Sequence, residues 1–184
     1  VSSLVLAPLV VAPVVTGLLL LWTFGRSSPV GQAMEAIGLP VPFSLIGAIL
    51  SAFVVGFPFF VLTVRAAFDA VDPRMEELSR SFGVPPLRTF FQVSLPLAMP
   101  GIAAGTVLAF ARALGEFGAT AVIAGNIEGR TRTIALAVYA SLDAPDGEHA
   151  TRTLLLASVA ISAAALFGFE ALNRWHRHRL HADG

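Results

Sequence analysis

The chain has no cysteine, no lysine and a single tyrosine. The missing thiols exclude disulfides, thiolate zinc sites, iron–sulfur ligation and cysteine nucleophiles together. Charge is scarce too: 13% of the 184 residues are Asp, Glu, Lys or Arg, and every one of the twelve cations is arginine. Soluble domains carry about 25% charged residues. Twelve acidic residues cancel the arginines, leaving no basic field to attract nucleic acid. What the chain has is apolar residue, 55% of the total with a mean hydropathy of +0.77. That excludes disorder and points to a membrane protein.

Four uncharged or nearly uncharged runs follow one another, at about 4–24, 43–64, 97–124 and 154–172. Each is close to the twenty residues that span a bilayer at 1.5 Å per residue. Four crossings in a single all-α, polytopic domain covering 1–184 are therefore expected. Pro8 and Pro13 interrupt the first run, and Arg112 and Glu116 lie inside the third. The chain opens at Val1, without an initiator Met or a signal-peptide pattern, and is almost at once in an apolar run. This is the expectation of an N-terminally truncated bundle with a further helix ahead of it.

The polar segments differ in character. Residues 26–42 read as a short connector punctuated by Pro29, Gly31, Gly38 and Pro40. Residues 65–96 hold eight charges and read as a helical hairpin: Asp72 as N-cap, Pro73 at the first helical position, a stop at Gly83, and a second helical piece over 87–93. Pro96 and Pro100-Gly101 are expected to break the chain before the third crossing. In 126–152, Ile134–Leu142 is apolar but too short to cross. If 65–92 and the tail after Glu170 face the cytoplasm, seven arginines lie inside (Arg65, Arg74, Arg80, Arg88, Arg174, Arg177, Arg179) against four outside (Arg26, Arg130, Arg132, Arg152). That count favours a cytoplasmic C-terminus. Trp175 is then an interfacial anchor.

The hairpin reads either as a surface loop or as a knob presented to a soluble partner. Phe82, Val84, Phe90 and Phe91 would be costly to leave in water, which favours docking. Arg112 and Glu116, four apart, are expected to share a helical face and pair. They either hold helices together or border a polar route, with Gly115 and Gly118 allowing close packing or a flexible gate. Arg130 and Arg132 read as part of a solvated external loop. His149, His176, His178 and His181 lack metal-site spacing, and no GxxxxGK[ST] phosphate loop is present.

Glu77-Leu78-Ser79, three residues, Gly83, nine residues, then Val93-Ser94-Leu95-Pro96 resembles the signature loop of ABC-importer permeases. The family pattern is Glu-Ala-Ala, three residues, Gly, nine residues, Ile-x-Leu-Pro. This sequence departs from it at Leu78, Ser79 and Val93. The block LAFARALGEFGATAVIAGNIEGRTRTIALAVY and the Pro-rich LAPLVVAPVVTGLLLL look like the permeases of molybdate importers, with sulfate and tungstate permeases as near relatives. The resemblance implies a channel-forming, non-enzymatic, cofactor-free homodimeric subunit in the cytoplasmic membrane, served by cytoplasmic ATPase subunits and an extracytoplasmic oxyanion-binding protein. Carried over by position, Glu77, Phe82, Gly83, Val84, Leu95 and Pro96 dock the ATPase. Arg112, Gly115, Glu116 and Gly118 then belong to translocation or gating, and Arg130 and Arg132 contact the binding protein. A non-transporting membrane assembly protein with a docking hairpin is the alternative from another class.

Overall fold

The structure, a computed structural model, describes residues 2–142 and 147–182, with side chains described for 5–142, His149 and 151–168. The expectations for Trp175, Arg174, Arg177, Arg179, His176, His178 and His181 concern side chains outside the described residues.

Ten α-helices are present among the described residues: α1 (Ser2–Val10), α2 (Pro13–Phe24), α3 (Pro29–Ala36), α4 (Leu45–Asp69), α5 (Pro73–Ser81), α6 (Pro86–Thr89), α7 (Leu95–Leu114), α8 (Gly118–Ile123), α9 (Ile134–Leu142) and α10 (Gly147–Ala182). A π-turn, Phe90–Ser94, joins α6 to α7. Three stretches are long and apolar enough to cross a membrane, namely Leu45–Asp69, Pro86–Leu114 and Thr151–Gly168. The first expected crossing is instead two helices, because Pro13 starts α2 afresh. At 12 residues, α2 is apolar but shorter than a span.

Two further expectations are corrected. Residues 86–114 run as one continuous helix through Pro96 and Pro100, which therefore do not break it. In the π-turn the Leu95 N–H reaches back to the Phe90 carbonyl. The ladder is thus already displaced when it arrives at Pro96, which has no N–H to offer. The run 97–124, by contrast, is interrupted: α7 ends at Leu114 and α8 starts at Gly118. The connector 26–42 also contains α3, whose N-cap Ser28 accepts the Gly31 N–H at 2.9 Å ahead of Pro29.

The helices form two compact units, residues 1–58 with 110–164 and residues 59–109 with 165–184. In the first, α2 lies against α8 with almost no side chain between them. A Cβ on Gly17 would fall 2.8 Å from the Ala119 backbone, and one on Gly118 would meet Pro13 and Val14 at 3.1 Å. Val41, Ala48, Ile123 and Ala124 form the adjoining core, and the buried Ser51 and Thr120 hydroxyls bond at 2.8 Å. Small residues and hydroxyl pairs are the means by which helices associate where the solvent is itself apolar.

In the second unit, α4 and α7 meet at Gly101-x-x-x-Gly105. A Cβ on Gly101 would overlap that of Ala67, and one on Gly105 would crowd Thr63 and the Phe60 carbonyl. The Phe68 ring on α4 stacks on Phe90 at 5.8 Å, fastening the base of the hairpin.

Candidate functional site: a clamped hairpin and a clamped helix break

Helix α5 is cut to length by its ends. The Asp72 carboxylate accepts the Arg74 N–H at 2.9 Å, and Pro73 occupies the first turn. At the other end Gly83 takes φ +77°, so that its N–H bonds the Arg80 carbonyl and the Val84 N–H bonds that of Ser79. This is a Schellman stop, which needs a left-handed residue at that position. Two side-chain bonds then tie α5 to the segment leading into α7. Ser94 donates to Glu76 at 2.6 Å, and the Ser79 and Thr89 hydroxyls bond at 3.0 Å. Glu76 also holds Arg80 at 3.2 Å.

With its inner face occupied in this way, the hairpin leaves its large apolar residues outside. Phe82 is 79% exposed, and Met75, Leu78, Leu87 and Phe91 are exposed with it. Glu77 is exposed and has no ion-pair partner among the described residues. Gly83 is exposed, Val84 half-buried, Leu95 half-buried and Pro96 exposed. Exposed aromatic and aliphatic side chains on an otherwise polar element make this hairpin the candidate surface for a protein partner.

The second constellation lies at the end of α7. The Arg112 guanidinium donates to Glu116 Oε2 at 2.8 Å, so the expected pair exists. It does not share one helical face, because Glu116 lies in the break beyond α7. There its other oxygen accepts the Ala119 N–H at 2.8 Å, capping α8. The Glu116 side chain is 2% exposed and that of Arg112 30%. A carboxyl group taken from water needs such hydrogen-bond partners. Gly115 and Gly118 have different surroundings: Gly118 is buried against α2, whereas Gly115 lies exposed in the break with nothing nearer than its own helix carbonyls.

The third group, the loop after α8, turns on Gly125 and Gly129 and on the buried Thr131, whose hydroxyl accepts the Ile127 N–H at 3.1 Å. Arg132 donates to Asn126 at 2.9 Å and pairs with Glu128 at 3.4 Å. Arg130 makes no ion pair among the described residues and points into a cavity beside Trp22 and Arg26. The structure thus separates two arginines that look equivalent in sequence.

Sequence reasoning missed Glu76, Ser79 and Ser94 as the clamp, and also the Gly101/Gly105 contact. The GxxxG spacing was a usable signal for the latter. No spacing rule announces an 18-residue hydrogen bond such as Ser94 to Glu76.

These features define an all-α, multi-pass membrane protein that carries a clamped hairpin with exposed apolar side chains and a charged clamp at a helix break. The chain belongs to the binding-protein-dependent transport system inner membrane components, whose family model matches residues 1–182. It is 43% identical over 179 residues to the molybdenum transport system permease protein ModB of Escherichia coli K12, covering 97% of this chain and 78% of that protein. The protein of the same description from Haemophilus influenzae is 39% identical over 98% of this chain and 79% of its own length. For that of Mycobacterium tuberculosis the figures are 39%, 91% and 63%.

Proposed function

We propose that the chain is the membrane channel subunit of an ABC importer for molybdate, driven by ATP hydrolysis in a separate subunit. The exposed, clamped hairpin carries this reading: a surface holding Glu77, Phe82 and Val84 in fixed geometry suits a partner that pushes and pulls. The substrate rests on the relatives described as molybdenum transport permeases, which align over nearly the whole chain.

In this reading the hairpin and the C-terminus face the cytoplasm, and two copies of the chain pair so that two ATPase subunits each receive one hairpin. Movement of the docked subunit enters α7 through Glu76–Ser94 and Ser79–Thr89, while Leu95 and Pro96 carry it into the membrane. The chain itself catalyses no covalent step. Arg112 borders the route and attracts the oxyanion, and Glu116 limits that attraction so that the anion is released. Gly115 supplies the flexible point of the gate, and Gly118 its packed one. Arg132, rigid on Glu128 and Asn126, lies in the external loop that meets the delivering protein.

The test is reconstitution with an ATPase subunit and an oxyanion-binding protein, reading ATP-dependent uptake of labelled molybdate with sulfate and tungstate as competitors. Phe82→Ala should abolish uptake and weaken ATPase-subunit binding at least tenfold, as expected of an interface anchor worth about 2 kcal/mol or more. Its folding should be unaffected, because the ring touches little. Molybdate uptake unchanged by Phe82→Ala would overturn the docking role, and uptake of sulfate alone would overturn the substrate.

A further inference from the structure

Where α2 ends and α4 begins, the connector folds around an open cavity of about 700 Å³. Trp22, Arg26, Pro42, Phe43, Ser44 and Arg130 line it. Its depth follows from the sequence: the apolar residues of α2 stop at Phe24 and those of α4 start at Leu45. The cavity therefore lies where apolar helices pass into polar chain, the level of lipid headgroups. Trp22, 72% exposed at this level, is the residue type that favours such an interface.

The cavity is positively charged. Arg26 is balanced by Glu35 at 3.3 Å, but Arg130 has no acidic partner among the described residues. Its rim is also strained. Phe43 adopts φ 54°, a conformation that bulky residues rarely take, and its N–H is held on the Ile123 carbonyl at 2.8 Å. The ring remains exposed at the mouth of the cavity instead of turning into the core. Strained, exposed positions of this kind concentrate at ligand contacts.

We infer that this cavity binds the headgroup of an anionic phospholipid, with Arg130 as the principal partner of the phosphate and Arg26 as the second. Leu21, Trp22 and Phe43 then face the glycerol and the first acyl carbons. A small free anion would gain nothing from three apolar walls, whereas a phospholipid uses both the cations and the walls. Basic pockets between membrane helices take headgroups for the same reason. The volume is within the range of ligand sites, which run from about 300 to 1,000 Å³. The site does not depend on which anion the protein transports.

Trp22 reports on the cavity directly. In a Trp175→Phe background it is the sole tryptophan, and the full chain can be placed in nanodiscs of phosphatidylcholine containing a brominated lipid. Brominated phosphatidylglycerol should quench Trp22 several-fold more strongly than brominated phosphatidylcholine at equal mole fraction. Arg130→Gln should remove most of that preference and Arg26→Gln part of it. Arg132→Gln, which takes one cation from the same loop outside the cavity, should leave it intact. Inorganic phosphate at millimolar concentration should not compete. Equal quenching by the two lipids would overturn the inference, as would a preference that survives Arg26→Gln with Arg130→Gln, or one lost equally in Arg132→Gln. Displacement by inorganic phosphate would make this a free-anion site and overturn the lipid assignment. Helix content by circular dichroism confirms that each variant scored is folded.

Discussion

Glu76 and Glu116 perform related tasks in different solvents. Each carboxylate bridges an interruption in the helical ladder: Glu76 ties α5 to the end of the π-turn through Ser94, and Glu116 ties the end of α7 to the start of α8 through Arg112 and the Ala119 N–H. Glu76 retains 35% of its side-chain exposure and Glu116 only 2%. Water can replace the partners of the first, so its bonds are individually modest and exchangeable. Nothing replaces those of the second, so losing one leaves a buried charge without compensation. The hairpin clamp can thus exchange its bonds with water, whereas the Glu116 clamp fixes the two helix ends on either side of the uncrowded Gly115.

The sharpest way to break this comparison is Arg112→Gln. It leaves the Glu116 carboxylate buried with only a backbone N–H, and should lower stability by about 3 kcal/mol, the lower end for a broken buried pair because Arg112 is partly exposed. Unfolding of the detergent-solubilised chain measures this. Arg112→Met with Glu116→Leu removes both charges and should recover part of the loss, less the cost of the buried Ala119 N–H left without its cap. If the pair borders the translocation route, molybdate uptake stays low in that stable double variant. Restored uptake would reduce the pair to a structural clamp.

Next in size is Gly83→Ala. At φ +77° an added Cβ costs about 1–2 kcal/mol even though open space surrounds it. The cost falls on the turn that aims Phe82 and Val84, so if the hairpin docks the ATPase subunit as proposed, that complex should weaken roughly tenfold. Glu76→Gln and Ser94→Ala are smaller, and combining them in a double-mutant cycle should give an interaction energy of about 1 kcal/mol. They should lower uptake per ATP hydrolysed more than they lower binding of the ATPase subunit. Equal losses in both would mean that the clamp shapes the docking surface without transmitting movement.

How much of this was legible in the sequence depended on the range of the interaction. The Asp72-Pro73 start and Gly83 stop of α5 are local rules, and the structure reproduces them to within a residue. That residues 134–142 are too short to cross was readable from their run length, and they form the nine-residue α9. The interruption after Leu114 was not. Residues 97–124 are uncharged apart from Arg112 and Glu116, and an i, i+4 pair inside such a run argues for continuing the helix. What ends it is a tertiary choice, in which Glu116 caps α8 while Gly118 and Ala119 close on α2. Pro96 misled in the opposite direction, because a π-turn that no pattern advertises absorbs it. Arg130 and Arg132 show the same limit on the surface. Two residues apart, they differ only in which neighbours the Gly125–Gly129 turns bring to them.

The smallest effect expected is at Arg132, and it tests whether the contrast between exposed and buried clamps extends to the loop after α8. Its partner Glu128 is 83% exposed, so Arg132→Gln should change stability by less than about 0.5 kcal/mol. The buried Thr131 hydroxyl, which accepts the Ile127 N–H, keeps the loop in shape without it. If the loop meets the delivering protein as proposed, any defect in Arg132→Gln should arise outside the chain, in capture of that protein. Such a contact, lying at a solvated rim, should appear as a slower association rate that converges with the unmodified chain at high salt. A loss of stability above 1 kcal/mol would instead place Arg132 with Glu116, among the charges this fold cannot release.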